Sequence, residues 1–185
     1  MGDLIIAPDG QILATSSSPS EPAIYVVNET SGTLDPWLVL PQMISLQGVT
    51  ANPATNVLYV ADYREGILKI DLATKTFLTI ANQTDHPLKG IDGLYFAENG
   101  LIAIHNGLQP NRIVRYELNP SGDAITAFRY LDKALPAFGE PTLGTVVGND
   151  LIYIANSPWG AYDREKALLP EKVSPPILMQ TSVDR

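Results

Sequence analysis

The chain repeats one pattern of apolar and polar residues four times. In each copy a turn residue precedes a short apolar run, and the run ends near a small polar residue. The turn residues are Gly10, Asn56, Gly100 and Asp150, which lie 46, 44 and 50 residues apart. Spacings of about 40 to 50 residues are typical of the blades of a β-propeller. The pattern therefore predicts four copies of one structural unit.

The second repeat indicates how each unit is built. Four segments rich in β-branched residues follow one another at 48–51, 57–61, 67–72 and 76–80, separated by turn residues. The third repeat has the same order at 93–96, 101–104, 113–118 and 124–130. Such segments predict four-stranded antiparallel meanders. The residues expected between the sheets are Leu58, Val60, Ile102, Ile104, Ile152 and Ile154.

Helical periodicity is nearly absent. Only residues 132–135 and 164–169 could form a helical turn, and both lie in connections. The fourth repeat differs, because a charged stretch from Asp163 to Lys172 precedes its last apolar segment. We therefore predict an all-β fold, a single β-propeller domain with four blades at about 1–46, 47–91, 92–139 and 140–185.

Composition agrees with a packed domain. The chain has 185 residues, of which 45% are hydrophobic and 17% charged. These fractions are too apolar for a disordered protein. With no cysteine, the chain has no disulfide and no thiolate site,.

Charge and hydropathy limit the classes of partner. The net charge of −8 lacks the positive field that neutralises nucleic-acid phosphates, so we expect no nucleic-acid partner,. No apolar run approaches the roughly 18 residues of a membrane-spanning helix, so no membrane association is expected,. The beginning of the chain has no basic segment of a signal peptide, although a longer parent could be exported. The cellular location stays open.

Five short strings carry a family resemblance. They are residues 59–63 (Tyr-Val-Ala-Asp-Tyr), 90–94 (Gly-Ile-Asp-Gly-Leu), 106–107 (Asn-Gly), 140–144 (Glu-Pro-Thr-Leu-Gly) and 155–159 (Ala-Asn-Ser-Pro-Trp). In this order they resemble the later blades of the senescence-marker-protein, gluconolactonase and luciferin-regenerating-enzyme-like group, which is akin to NHL-repeat propellers. The resemblance spans nearly the whole chain. It is specific for the superfamily and much less so for one activity.

The resemblance implies a six-bladed propeller with a divalent metal in its central channel. Four blades correspond to the carboxy-terminal two-thirds of such a protein, with about two blades preceding them. An open arc of four blades would expose apolar sheet faces, which favour association. We therefore expect either a homodimer through the open blade edges or poor solubility.

Three oxygen-bearing side chains are the candidate metal ligands. Gln47, Asp92 and Glu140 lie at the start of successive innermost strands, which converge on the propeller axis,. In the resembled family a Glu, an Asn and an Asp, each before a glycine, hold the metal. Asp92 matches best, Glu140 has Pro141 in the glycine position, and Gln47 replaces the usual asparagine. Hard cations prefer oxygen ligands, and Ca²⁺ is the expected ion. Alternatively, Asp92 and Gln47 only satisfy strand-end amides.

A second ring of short polar residues ends the second strand of each repeat: Ser16, Asp62, Asn106 and Asn156. Such residues usually cap turns by binding the following backbone, which is the favoured interpretation.

The two histidines are the remaining titratable candidates. His105 could act as a general base near neutral pH. Strand alternation opposes this role, because His105 faces the neighbouring blade if Asn106 faces the channel. His86, between Asp85 and Pro87, is expected in a solvated loop.

These residues lead to a functional hypothesis with two rivals. A channel cation could polarise a lactone or ester carbonyl of a small-molecule substrate, with Asp92 and His105 as catalytic candidates. The first rival is a non-enzymatic propeller that binds a small ligand or a protein. The second is a structural fragment that has lost its site.

Overall fold

The computed structural model describes residues 2–18 and 20–184. The chain is all-β, with 49% of residues in strands and 4% in helical turns, and its four sheets are the blades of a β-propeller. Within the described residues no helix is long and apolar enough to cross a membrane.

The first two blades are antiparallel meanders. Blade 1 contains β1 (Leu4–Ile6), β2 (Ile12–Thr15), β3 (Ala23–Asn28) and β4 (Thr33–Val39). Blade 2 contains β5 (Leu46–Asn52), β6 (Val57–Asp62), β7 (Gly66–Asp71) and β8 (Phe77–Thr79). Both confirm the four-stranded unit that the repeat predicts.

Blade 3 has the meander and one additional strand. It contains β10 (Ile91–Ala97), β11 (Gly100–His105), β12 (Arg112–Leu118) and β13 (Ala124–Lys133). The short β9 (Ala81–Asn82) pairs in parallel with β13 at its outer edge. Glu98 and Asn99, with φ of 51° and 57°, form the two-residue loop between β10 and β11. Positive φ at both positions is the geometry of a tight type I′ hairpin turn.

Blade 4 departs from the predicted unit. Its described strands are three: β14 (Gly144–Val147), β15 (Asp150–Ile154) and β16 (Leu178–Ser182). The long segment between β15 and β16 holds two 3₁₀ turns, Pro158–Ala161 and Pro170–Lys172. Neither turn matches the predicted helical segments, and residues 132–133 continue strand β13 instead.

The apolar core is divided into three clusters, each between two adjacent blades. The first joins blades 1 and 2 around Leu13 and Leu58, and the second joins blades 2 and 3 around Tyr59 and Leu94. The third joins blades 3 and 4 around Ile102 and Tyr153. No comparable cluster joins blade 4 to blade 1 within the described residues.

The two end blades consequently have uncovered faces. Leu4 and Ile6 of blade 1 are 57% and 68% exposed, and Leu178 of blade 4 is 70% exposed. The prediction that Ile152 and Ile154 would be buried between sheets is wrong, since both are only half-buried. They lie on the uncovered side of β15, whereas Leu58, Val60, Ile102 and Ile104 are buried as predicted.

Candidate functional site

A polar pocket lies where the blades converge. It has a volume of about 340 Å³ and is formed where the first strand of a blade begins and the second ends. Its lining residues are Gly2, Ser17, Gln47, Tyr63, Asp92, Asn106, Glu140, Thr142, Leu143 and Trp159. The structure thus brings the three predicted metal-ligand residues to one cavity. All four blades or their flanking segments contribute to it.

Two β-bulges place Gln47 and Asp92 beside this pocket. The pairing register shifts between Leu46 and Val49 in β5, and between Ile91 and Gly93 in β10. A bulge inserts an extra residue and can redirect a side chain, which is why bulges often occur beside active sites. The two strands also approach closely, because a Cβ on Gly48 would collide with the backbone from Asp92 to Leu94. Glycine is required for this approach.

Asp92 is fixed by side-chain donors. Its Oδ2 accepts hydrogen bonds from Asn106 Nδ2 at 2.9 Å and from the Thr142 hydroxyl at 2.7 Å. Asn106 Nδ2 also donates to the Pro141 carbonyl at 3.0 Å, and the Tyr63 hydroxyl donates to Asn106 Oδ1 at 2.9 Å. Three segments therefore hold one carboxylate in a defined position at the pocket wall.

Glu140 is the second carboxylate of the pocket. Burial raises its pKa above the ordinary value, and the charge of Asp92 raises it further. The same two carboxylates raise the pKa of Tyr63, after the larger effect of burial. No lysine or arginine is among the described lining residues, and no described ion pair involves Asp92 or Glu140. The pocket therefore concentrates negative charge without a protein cation.

Asp3 adds to this negative charge from blade 1. Burial raises its pKa most, and the charge of Asp92 contributes to the increase. The backbone amides of Leu4 and Val49 bind its two oxygens at 2.8 and 3.4 Å. Asp3 is therefore tied to the first residue of β1 and to the middle of β5.

Gln47 supplies a neutral oxygen. Its Nε2 donates to the Ser45 hydroxyl at 3.0 Å, which commits the nitrogen of the amide and leaves Oε1 as a candidate ligand. Among the described residues, no three His, Cys, Asp or Glu side chains form a group that could hold a metal ion. Two carboxylates and one amide would be the protein ligands.

Glu140 reaches the pocket by a route that the sequence does not reveal. We predicted that it begins the innermost strand of blade 4, but β14 begins only at Gly144. Leu143 precedes Gly144, as Gln47 and Asp92 precede their glycines, and it also lines the pocket. The Glu140 carbonyl accepts hydrogen bonds from the backbone amide and hydroxyl of Ser157, both at 2.8 Å.

Tyr63 is a pocket residue that the sequence pattern missed. The last residue of β6 is Asp62 and the last of β11 is His105, so these two are structural equivalents. Tyr63 and Asn106, one residue later, both face the pocket. In blades 2 and 3 the signal is the residue immediately after the second strand, rather than the polar residue nearest its end.

Ser16 and Asp62 bind the following backbone, as the favoured interpretation predicts, whereas Asn156 binds a distant segment. Asp62 accepts from the amides of Arg64 and Glu65, and Ser16 accepts from the amide of Ser18 at 3.2 Å. Asn156 accepts from the amide of Ile177 at 2.6 Å and thereby holds the segment before β16. Asn106 caps no turn either, because its side chain donates to Asp92 and to the distant Pro141 carbonyl.

His105 lies outside the described pocket lining. It is fully buried, with Nδ1 at 3.1 Å from the Lys89 carbonyl and Nε2 at 2.8 Å from the Tyr116 hydroxyl. Burial is the main cause that lowers its pKa to about 3. His86 is not solvated as expected, since it is only 3% exposed and packs against Phe128 at 4.6 Å between ring centroids.

Comparisons with known proteins indicate the fold. No protein-family model and no curated protein matches the chain. An auxiliary nutrient binding protein from Bacteroides ovatus matches with a TM-score of 0.64 and 16% identity over 83% of this chain. A luciferin-regenerating enzyme matches with a TM-score of 0.62 and 12% identity over 97%. A protein described as a candidate 6-phosphogluconolactonase from Bacteroides uniformis matches with a TM-score of 0.56 and 13% identity over 96% of this chain.

The chain spans only part of these structures. It covers 42% of the nutrient binding protein, 60% of the luciferin-regenerating enzyme and 56% of the third chain. At these identities the likeness is one of fold. The chain is thus a β-propeller of the architecture found in luciferin-regenerating and lactonase-like proteins and in nutrient-binding ones.

Proposed function

We propose that the pocket binds a hard divalent cation and, with it, a small oxygen-rich molecule whose lactone or ester bond is hydrolysed. The observation that carries the proposal is the pairing of Asp92 and Glu140 in one cavity with no basic residue among its described lining. Two carboxylates held together repel each other unless a cation offsets their charge. A bound cation would relieve this repulsion.

The donor set fits a hard cation. Asp92, Glu140 and the amide oxygen of Gln47 offer only oxygen atoms, which Ca²⁺ and Mg²⁺ prefer over nitrogen or sulfur. Ca²⁺ takes about six to eight ligands, so three side chains leave positions for water and substrate. Ca²⁺ is the ion that we expect, and Mg²⁺ and Mn²⁺ are its competitors.

The chain's own residues would then divide the work of hydrolysis. A bound cation would polarise the carbonyl of the ester. Asp92 would hold its place through Asn106 and Thr142. Glu140 would hold the cation together with Asp92, and a water beside them would attack the carbonyl carbon and pass its proton to the leaving oxygen,. Trp159, 64% exposed at the pocket rim, would contact the apolar side of the substrate.

The test is calorimetry of the purified protein with Ca²⁺, Mg²⁺, Mn²⁺ and Zn²⁺, followed by hydrolysis of simple aldonolactones in the presence of the tightest ion. We expect heat of binding, and hydrolysis that disappears in Glu140→Gln while the folded structure remains. Absence of both binding heat and a thermal shift for all four ions rejects the cation site. Binding without hydrolysis would favour the alternative below.

The alternative is a binding propeller without catalysis, and one structural neighbour favours it. That neighbour is named an auxiliary nutrient binding protein and shares the blade arrangement over 83% of this chain. In that case the same polar pocket would hold a small polar ligand. Titration with sugars and sugar acids, monitored by the fluorescence of Trp159, separates the two functions.

A second copy of the chain is the proposed partner of the uncovered blade faces. Leu4 and Ile6 on one end blade and Leu178 on the other present apolar surface that burial would stabilise,. Light scattering should give twice the chain mass, and Ile6→Lys together with Leu178→Lys should restore the monomer. A wild-type mass equal to one chain contradicts this interface.

A further inference from the structure

Two histidines and a tyrosine form a buried hydrogen-bonded chain behind the pocket. His105 Nε2 lies 2.8 Å from the Tyr116 hydroxyl oxygen, which lies 2.8 Å from His86 Nδ1. The exposed fractions are 0% for His105 and Tyr116 and 3% for His86. We call these three residues the histidine–tyrosine chain. The proposed hydrolysis uses none of them.

The direction of each hydrogen bond follows from the chemistry of the partners. The Lys89 carbonyl can only accept, so His105 Nδ1, at 3.1 Å, must carry the proton,. The Nε2 of neutral His105 is then an acceptor, and the Tyr116 hydroxyl donates to it at 2.8 Å rather than to the Pro87 carbonyl, which is farther away at 3.4 Å. Because a hydroxyl has one proton, His86 Nδ1 must donate to the Tyr116 oxygen. Both histidines therefore hold their proton on Nδ1.

The surroundings keep both histidines neutral. Burial is the main cause that lowers the pKa of His86 to about 4, and Arg112 lowers it further. For His105, burial comes first, followed by His86 and Arg112. The charges of Asp85 and Lys133 also act on His86, in opposite directions. Near neutral pH the hydrogen-bond directions above are thus the stable ones.

The histidine–tyrosine chain ends at His105, one residue before Asn106, whose side chain holds Asp92. His105 binds the Lys89 carbonyl, while the next carbonyl, that of Gly90, accepts from the amides of Asn106 and Gly107 at 3.2 and 3.1 Å. The amide of Gly90 in turn binds the Tyr63 carbonyl at 2.8 Å. Gly90 has a φ of 71° and would collide with Gly107 if it carried a Cβ. The backbone of residues 89–90 therefore has little conformational freedom.

We propose that the histidine–tyrosine chain is a positioning device for the pocket. His105, neutral and protonated on Nδ1, fixes residues 89–90 against the end of β11 and thereby keeps the Asn106 amide on Asp92. His105 is then a positioning residue that acts through Asn106. The expected effect on ion affinity rests on the proposed function, whereas the expected effect on the position of the Asn106 side chain does not.

The first test is the tautomeric state of the histidines. Long-range ¹H–¹⁵N spectra of the full chain at neutral pH should show His105 and His86 protonated on Nδ1, with unprotonated Nε2. This tautomer is the less common one for free imidazole, so packing alone does not select it. His105 protonated on Nε2, or doubly protonated, would overturn the proposal without any variant.

The second test compares two tyrosine variants. Tyr116→Phe removes the hydroxyl between the histidines. The matched control is Tyr59→Phe, because Tyr59 is 1% exposed, belongs to the same apolar cluster and donates to the Gly122 carbonyl at 2.9 Å. Two quantities are measured in each variant: the side-chain amide resonances of Asn106 and the Kd for Ca²⁺ by calorimetry.

We expect Tyr116→Phe to shift the Asn106 resonances and to weaken Ca²⁺ binding about three- to tenfold, as the loss of one hydrogen bond predicts. Tyr59→Phe should change neither quantity. Equal effects in both variants would indicate general destabilisation and reject the positioning role, as would wild-type behaviour of Tyr116→Phe.

The two proposals fail in different ways. If the wild type binds no Ca²⁺ but Tyr116→Phe still shifts the Asn106 resonances, the positioning role stands and the cation site is rejected. If Tyr116→Phe does not fold, the tautomers of the wild type decide the question.

Discussion

Two aspartates at the same end of the blades have opposite environments. Asp62 is fully buried, and its four hydrogen bonds all come from backbone amides, those of Ile44, Ser45, Arg64 and Glu65 at 2.7 to 2.9 Å. Asp92 lines the pocket, and its hydrogen bonds come from the side chains of Asn106 and Thr142.

The difference separates a carboxylate that organises the chain from one that organises a site. Backbone amides commit Asp62 to the connections on either side of β5 and β6, so all its hydrogen-bonding capacity maintains the fold. Asp92 accepts from two side chains through one oxygen and stands near a second carboxylate. When a carboxylate is oriented by side chains and lies beside a like charge, a bound cation relieves the repulsion between the two charges and is therefore held strongly.

The largest expected effect concerns stability at Asp62. Asp62→Ala leaves four backbone amides without their acceptor, two of them in the half-buried residues Ile44 and Ser45, and should lower the free energy of unfolding by about 4 kcal/mol,. Asp92→Ala should cost only about 1 kcal/mol, because its donors can bind water in the open pocket. Urea unfolding of both variants measures the contrast, and equal losses would remove the distinction.

The second expected effect concerns ion binding at Asp92. Asp92→Asn keeps the shape of the side chain but removes its charge, so the affinity for Ca²⁺ should fall at least about 100-fold. Asp62→Asn is the control and should keep the wild-type Kd, since Asp62 lies outside the pocket lining. Calorimetry at equal ionic strength compares them. An equal loss in the two variants would mean that the ion responds only to net charge.

A third prediction uses pH. Because the pKa of Glu140 is raised in the folded state, its protonated form stabilises the fold below the ordinary value of 4.5,. That contribution is lost as pH rises through the raised pKa. Thermal unfolding without ions should therefore show a small decrease in Tm above pH 4.5 that is weaker in Glu140→Gln, where the raised pKa of Asp3 still acts in the same direction. Asp71 and Asp123, whose pKa values are lowered from 3.8, affect stability below this window.

Addition of Ca²⁺ sharpens the same experiment. The ion competes with the proton on Glu140, so the ion-induced increase in Tm should grow across this window in the wild type. In Glu140→Gln the increase should be smaller and independent of pH there. A pH-independent increase in the wild type would exclude Glu140 as a ligand.

The smallest expected effect is at Tyr63. Tyr63→Phe removes the hydrogen bond to Asn106 Oδ1 and leaves the amide bound to Asp92. We expect the Kd for Ca²⁺ to rise about threefold with little change in Tm. A change as large as that of Asp92→Asn would show that Tyr63 contacts the ion or its substrate directly.

The sequence predicts the blades because alternation and turn residues are local signals. Strands β5 to β8 and β10 to β13 follow from them within a few residues. In blade 4 the predicted assignment of strand faces is wrong, because the covered face of β15 carries Leu151 and Tyr153, not Ile152 and Ile154. All these residues are apolar, so alternation of polarity could not assign the faces.

The pocket was predictable only in part, and its β-bulges are the reason. Repeat spacing placed Gln47, Asp92 and Glu140 near one another. It could not show the bulges at Gln47 and Asp92. Matching polar Asp62 with polar Asn106 also hides the equivalence of Tyr63 with Asn106, because Asp62 and His105 are the residues that end the two strands. The burial of His86 depends on Tyr116, 30 residues away, a contact that no local pattern carries.

The division of the core into separate clusters has a consequence for how the molecule loses its structure. An array in which each blade packs only against its neighbours behaves as a one-dimensional chain of units, and its ends can unfold before its middle. The pocket, however, takes residues from the segments of all four blades, Ser17 and Glu140 among them. A ligand held there would connect two end blades that share no apolar cluster among the described residues, so its binding would convert stepwise fraying into a single cooperative transition.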